Sequence, residues 1–163
     1  MRKLLTYLIF ALLLFVTEKA QAQWGQVCVD SGRIQPYFGC LRPEFTVVCG
    51  CNNVTYRNDC VAFNQYGVNT WRDGVCPNDL FFFDFWPNIV RDQMTFYLKT
   101  SVKTSATIEV ADAFGKLMFY RILPAVPEPY FYQTFNFLEY RPGIYFVSVR
   151  AGSKMETKKF IKT

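Results

Sequence analysis

Val48-Cys49-Gly50-Cys51-Asn52-Asn53-Val54-Thr55-Tyr56-Arg57-Asn58-Asp59-Cys60 carries three cysteines in thirteen residues, two of them separated by a single glycine. Outward from this stretch lie Cys28, Cys40 and Cys76, and no cysteine follows Cys76. Six cysteines behind an export signal read as a disulfide framework. Metal binding by Cys49-Gly50-Cys51 is the competing reading. It is disfavoured because the chain has no histidine and an oxidising compartment removes free thiolates. Residues 28–76 are rich in turn formers and short of long apolar periods. One helix is predicted there, starting near Asn58-Asp59, either of which can cap, and running to about Tyr66 before Gly67. A helix of roughly two turns is marginal alone, so the disulfides must hold it.

The export signal is at the start. Arg2 and Lys3 precede an apolar run over residues 4–16, and Ala20-Gln21-Ala22 supplies small residues before a cleavage point at Gln23. Residues 1–22 therefore read as a secretory signal peptide. An uncleaved membrane anchor is the alternative. The run is shorter than the roughly 20 residues that span a bilayer, and Thr17, Glu18 and Lys19 interrupt it. The remaining chain is expected to be soluble outside the cytoplasm. Its cysteine asymmetry favours two units, a stapled one over residues 23–77 and one with an ordinary core over residues 78–163.

In the second unit, strands are predicted over residues 80–85, 94–98, 105–111, 117–122, 131–137, 144–150 and 154–161. Ile108 and Val110 alternate with Thr107 and Glu109, and Phe131, Gln133, Phe135 and Phe137 alternate with Tyr132, Thr134 and Asn136. Phe114-Gly115-Lys116 and Pro142-Gly143 read as turns. About seven short strands with regular turn signals indicate an all-β sandwich. The many phenylalanines are expected to form its core, with carbohydrate-binding aromatics as the alternative. Residues 23–77 balance Arg33, Arg42, Arg57 and Arg72 against Asp30, Glu44, Asp59 and Asp73, whereas residues 78–163 have eleven Lys/Arg and eight Asp/Glu, a net of +3. Lys154, Lys158, Lys159 and Lys162 are expected to form a solvated face. Nucleic-acid binding requires a stronger patch, so none is expected.

The opening stretch resembles the Kazal family of serine-protease inhibitors. The Val-Cys-Gly start, the Thr-Tyr-x-Asn-x-Cys block ending at Cys60, and the closing Gly67-Val68 and Gly74-Val75-Cys76 carry the likeness. It covers residues 28–76. Phe63 stands where most members have a helix cysteine, and Cys51 is added, as in a variant class that keeps six cysteines by moving one. Six cysteines allow 15 pairings in principle. The resemblance implies Cys40–Cys60 and Cys49–Cys76, leaving Cys28 with Cys51. Cys49 and Cys51 are too close to pair without strain. The implied fold is a small disulfide-rich α+β module.

The resemblance also implies a mechanism. A loop after the second cysteine is offered to a protease as a substrate would be, and it binds tightly because it is already ordered. That loop corresponds to Leu41, Arg42, Pro43, Glu44 and Phe45, with Tyr56 and Asn58 as its supports. Counting forward from Cys40 puts Arg42 at the primary specificity position, where its guanidinium would pair with an acidic pocket. The segment between Cys40 and Cys49 holds eight residues, one more than the family's usual spacing. Counting back from Cys49 aligns Glu44-Phe45 with the family's acidic-aromatic pair and puts Pro43 at the contact position. Proline lacks an N–H and fixes φ, so it suits few pockets. Asn53-Val54-Thr55 matches a glycosylation sequon, but Thr55 already belongs to the Kazal block.

The second unit resembles the C-terminal sorting domain of the type IX secretion system of Bacteroidetes. Trp86-Pro87-Asn88, Ile108-Glu109-Val110-Ala111-Asp112 with Gly115-Lys116, Pro142-Gly143-Ile144-Tyr145-Phe146-Val147-Ser148-Val149, and Lys158-Lys159-Phe160-Ile161-Lys162 occur in the family's order. Ile89 replaces the second proline of the usual start. The resemblance implies an immunoglobulin-like sandwich recognised by the outer-membrane translocon, with Pro142, Gly143, Tyr145, Lys158 and Lys159 in the sorting motif. It also implies removal on export, with release or attachment of the cargo to surface lipopolysaccharide. A β-sandwich binding domain that stays with the protein is the alternative.

No catalytic constellation is found. Without histidine, Ser-His-Asp and Cys-His arrangements are impossible, and no phosphate-cradling glycine loop is present. The acidic residues sit mostly in turns and outward strand positions. A binder that is not an enzyme, with no cofactor or metal, is expected. It is either a reversible serine-protease inhibitor or a non-inhibitory interaction or adhesion module on the same scaffold.

Overall fold

Side chains of a strand alternate between its two faces, and this period organises residues 81–163. In β4 (Phe81–Trp86), Phe81, Phe83 and Phe85 are buried while Phe82, Asp84 and Trp86 are less so. β6 (Gln93–Thr100) turns Met94, Phe96 and Leu98 the same way, and β9 (Phe131–Asn136) turns Phe131 and Phe135. These strands pair antiparallel in the order β4-β6-β9. The computed structural model describes residues 27–40, 45–126 and 130–163. The predicted signal peptide, and Leu41 through Glu44 of the predicted loop, lie outside the described residues.

A second sheet has five strands. β7 (Ala106–Asp112), β8 (Leu117–Leu123), β10 (Gly143–Ala151) and β11 (Lys154–Lys162) pair antiparallel, and β5 (Ile89–Val90) adds to β11 in parallel, giving β5-β11-β10-β7-β8. The inner faces of the two sheets share one core, in which Phe83, Phe96 and Phe137 meet Ile108, Val147 and Phe160. The architecture is a β-sandwich. Each fully buried Phe contributes roughly 1.5–3 kcal/mol by leaving water, and edge-to-face ring pairs such as Phe137–Phe160, 5.0 Å apart, add to that.

All seven predicted strands form, within one or two residues of the expected ends. β5 was not foreseen, because two residues cannot display a period. It is held by the Ile161 and Thr163 N–H groups donating to the Asn88 and Val90 carbonyls, both at 2.9 Å. Most of the phenylalanines are core, as expected. Phe114 is a clear exception, lying in the β7–β8 turn almost fully exposed.

The stapled unit has a three-stranded antiparallel sheet with β1 (Val48–Gly50) between β2 (Thr55–Tyr56) and β3 (Trp71–Asp73). The predicted helix is present over residues 59–66. Its middle, α1 (Val61–Gln65), is wound as a π turn rather than an α turn. Asn64 Nδ2 donates to the Cys60 carbonyl at 3.0 Å, and such side-chain competition for a helical acceptor loosens the regular ladder. Gly67 ends the segment at φ +67, where a Cβ would lie 2.2 Å from the Asp30 carbonyl oxygen.

Phe96 is fully buried and packs against Phe83, Phe131 and Phe135. Phe96→Ala is expected to cost ~3–5 kcal/mol, measured as a fall in the denaturant midpoint at constant m-value.

Candidate functional site

Three disulfides join Cys28 to Cys51, Cys40 to Cys60 and Cys49 to Cys76, with Cα separations of 5.7, 5.8 and 4.8 Å. These are the pairs that the resemblance implies. No described cysteine is free, so the Cys49-Gly50-Cys51 motif has no thiolate for a metal. The glycine between the two bridged residues is dictated by packing. A Cβ on Gly50 would meet Asn52 Oδ1 at 2.5 Å, Tyr56 Cε2 at 3.0 Å and Val68 Cγ1 at 3.1 Å.

The expected supports are both buried. Asn58 is 1% exposed and its Oδ1 accepts the Val61 N–H at 2.8 Å, capping the helix. The Tyr56 hydroxyl accepts from Asn52 Nδ2 at 2.8 Å, and its ring lies 5.0 Å from that of Tyr66. Of the predicted loop, Phe45 is described, and it departs from expectation. A loop residue offered to an enzyme should face outward. Phe45 is buried, stacked on Tyr97 with ring centroids 4.9 Å apart and planes 11° from parallel. It packs there with Val47, Val75 and Phe82.

This contact joins the two units. Tyr97 stands on the outer face of the three-stranded sheet of the sandwich, opposite Asp84 in the β4–β6 register. The Arg57 guanidinium lies 4.5 Å over the Phe45 ring, and its Nε is 3.9 Å from Asp84 Oδ2. That Nε is buried with no hydrogen-bond partner. Beside it, Asp79 Oδ2 accepts from Thr55 Oγ1 at 2.6 Å, and the same Thr55 oxygen accepts the Cys76 N–H at 3.0 Å. Thr55 of the sequon is therefore engaged in tying the two units together. Lys154 completes the junction through Asp79 at 3.3 Å and Glu156 at 2.8 Å. Its pKa is raised first by the Glu156 hydrogen bond and then by Asp79, against the opposing effect of burial.

The lysines correct the expectation of a solvated face. Lys158 Nζ donates to the Phe83 carbonyl at 2.6 Å and to Asp84 Oδ1 at 3.2 Å, so it links the two sheets and satisfies the open side of edge strand β4. Lys162 is 7% exposed and donates to the Thr163 carbonyl at 2.5 Å. Lys159 alone of the four points to solvent. The sequence placed all four on one basic stretch, but alternate residues of a strand face opposite ways. Of the remaining sorting-motif residues, Pro142 and Gly143 lead into β10, and Tyr145 belongs to the core. Its ring stacks 5.4 Å from that of Phe160 and its hydroxyl donates to the Arg141 carbonyl at 2.9 Å. Among the described residues no group of three or more His, Cys, Asp or Glu side chains is placed to hold a metal, and no helix is long and apolar enough to cross a membrane.

Residues 84–163 match the family described as "Secretion system C-terminal sorting domain". The C-terminal unit is thus a type IX sorting domain, and its start at Asp84 falls inside β4, after the boundary expected at residue 78. The protein is therefore secreted or held at the outer-membrane surface, and its sorting domain engages the type IX secretion machinery. No curated protein matches the chain. Among solved structures it is similar to the sulfur carrier protein SoxY from Chlorobium limicola f thiosulfatophilum, at 13% identity over 53% of this chain and 76% of that one. The TM-score of 0.32 is too low for that likeness to bear on fold or function.

Burial of Tyr97 beneath the stapled unit raises its phenol pKa well above the ordinary value, with neighbouring Tyr130 adding to the shift. A raised pKa means that the folded chain favours the neutral phenol. The stability tied to it is full below about pH 10, the unfolded value, and is lost as pH rises above that. Unfolding free energy is expected to fall above pH ~10, and Tyr97→Phe, which keeps the ring, to flatten the fall in urea titrations across that range.

Proposed function

We propose that the protein is a Kazal-type serine-protease inhibitor, delivered by the type IX system and acting by substrate-like binding of the loop between Cys40 and Cys49. One observation carries this reading. Cys40 is bridged to Cys60 at the start of the helix, and Cys49 to Cys76 beyond β3. Both ends of a short segment are thereby fixed to one scaffold, and a segment with fixed ends has less entropy to lose on docking. The order of the cysteines and the Thr-Tyr-x-Asn-x-Cys block support the same reading. The protein is a binder with no catalytic step of its own, its stapled unit spans residues 23–77, and the sandwich that follows is immunoglobulin-like. Removal of the sandwich on export, with release of the cargo or its transfer to lipopolysaccharide, completes the proposal.

A non-inhibitory interaction module is the second reading, and the inward-facing Phe45 is the observation that favours it. Titration of the mature chain against trypsin-like, chymotrypsin-like, elastase-like and subtilisin-like enzymes separates the two. Inhibition of a trypsin-like enzyme is expected, and Arg42→Ala is expected to weaken it by roughly 100-fold or more. Inhibition that survives Arg42→Ala would move the contact position to Pro43, and inhibition of none of the four would leave the interaction module.

Deletion of residues 158–163 removes the Lys158 link between the sheets, the Phe160 core ring and the β5 pairing. Surface delivery of the truncated chain is expected to be lost while the periplasmic form accumulates. Normal delivery would sink the sorting role of the terminal strand.

A further inference from the structure

Tyr97 lies on the solvent side of its sheet, because its neighbours Phe96 and Leu98 fill the core. On a free sandwich Tyr130, its ring 5.0 Å away, would cover one side of it and leave the other open, yet it is 1% exposed here. The cover is the stapled unit, which sets Phe45 and Val47 against it. Further along the same cross-strand row, Tyr132 pairs with Tyr97 in register and stays exposed, so the cover stops at β6.

The polar part of this seat is incomplete. Asp84 faces Arg57 at 3.9 Å and Lys158 at 3.2 Å, one carboxylate against two cations. Arg57 Nε is buried without a hydrogen bond, and a buried donor left unpaired favours separation. The two units are joined through residues 77–80, between the bridged Cys76 and the start of β4.

We propose that the sandwich is a cover acting in cis, with Tyr97 and Asp84 holding the Phe45–Arg57 face of the stapled unit closed until the sandwich lets go. The consequence for inhibition rests on the reading of the stapled unit as a protease inhibitor. Phe45 follows either candidate contact position by no more than three residues. A protease bound there would bury about 800 Å² of the inhibitor, an area that reaches Phe45. Phe45 cannot stack on Tyr97 and enter an enzyme cleft together. The covered chain is therefore the weak form, and release of the face is the switch.

The test uses the full mature chain with Tyr97→Ala, and with Tyr132→Ala as the control on the uncovered end of the same row. Amide hydrogen exchange over residues 45–48 is expected to speed up at least about tenfold in Tyr97→Ala, with β7 and β10 still protected and Tyr132→Ala like the parent. Inhibition constants for the four enzyme types are expected to tighten by about tenfold or more in Tyr97→Ala only. Unchanged exchange at residues 45–48 overturns the cover. Faster exchange with unchanged inhibition by both chains overturns the switch and leaves the inhibitor reading standing. Faster exchange with no inhibition by either chain supports the cover and sinks the inhibitor reading. Should Tyr97→Ala unfold the sandwich, seen as lost protection in β7 and β10, Asp84→Asn loosens the same face through Arg57 and is read by the same outcomes.

Discussion

Among the described residues, the buried cluster that the stapled unit has to itself is small: Val48, Tyr56, Ala62 and Val68, with Val29 and Val61 partly buried against them. A core of that size cannot outweigh the conformational entropy of some fifty ordered residues. The three disulfides are the constraint on which this unit depends, each contributing roughly 2–4 kcal/mol by restricting the unfolded chain. They also decide geometry. Cys49 within β1 is bridged to Cys76, and Cys51 just after it to Cys28, so the strand is anchored at two points. Cys60 ties the helix to Cys40, and the cap from Asn58 sets where that helix begins.

The sandwich is stable by other means. Its rings and branched chains fill one continuous core between two sheets, and no covalent link is needed there. Lys158 shows how a charged residue serves such a core. Its ammonium lies 4.9 and 5.0 Å from the Phe82 and Phe83 ring centroids while it also donates to an edge carbonyl and to Asp84. Asp84 then faces Arg57 of the stapled unit, so the same carboxylate takes part in both the closure of the sandwich and the seat of its neighbour. The coupling of export unit and cargo unit passes through this residue and through the Phe45–Tyr97 stack.

Much of the fold was legible in the chain because its signals are local. Period-two alternation announced the strands from Leu80 onward, and the Asn58 and Gly67 brackets announced the helix. The π winding of α1 was not legible, since it involves the Asn64 side chain taking the Cys60 carbonyl. Neither was β5, whose two residues pair with a strand about seventy positions away. The strands of the stapled unit escaped notice because they are two or three residues long.

By itself the sequence determined the cysteine-rich first part and the β-sandwich, through composition, spacing and short-range period, and the C-terminal sorting domain, through the likeness of its motifs to that family. Tertiary structure alone decided which way Phe45 turns and which lysines meet solvent. Both depend on what the other unit or the other sheet brings within a few ångströms, Tyr97 beneath the ring and Asp84 beside the ammonium. Contacts between residues so far apart along the chain leave no pattern in either segment, because each side chain is ordinary where it stands and acquires its role only from the partner the fold supplies.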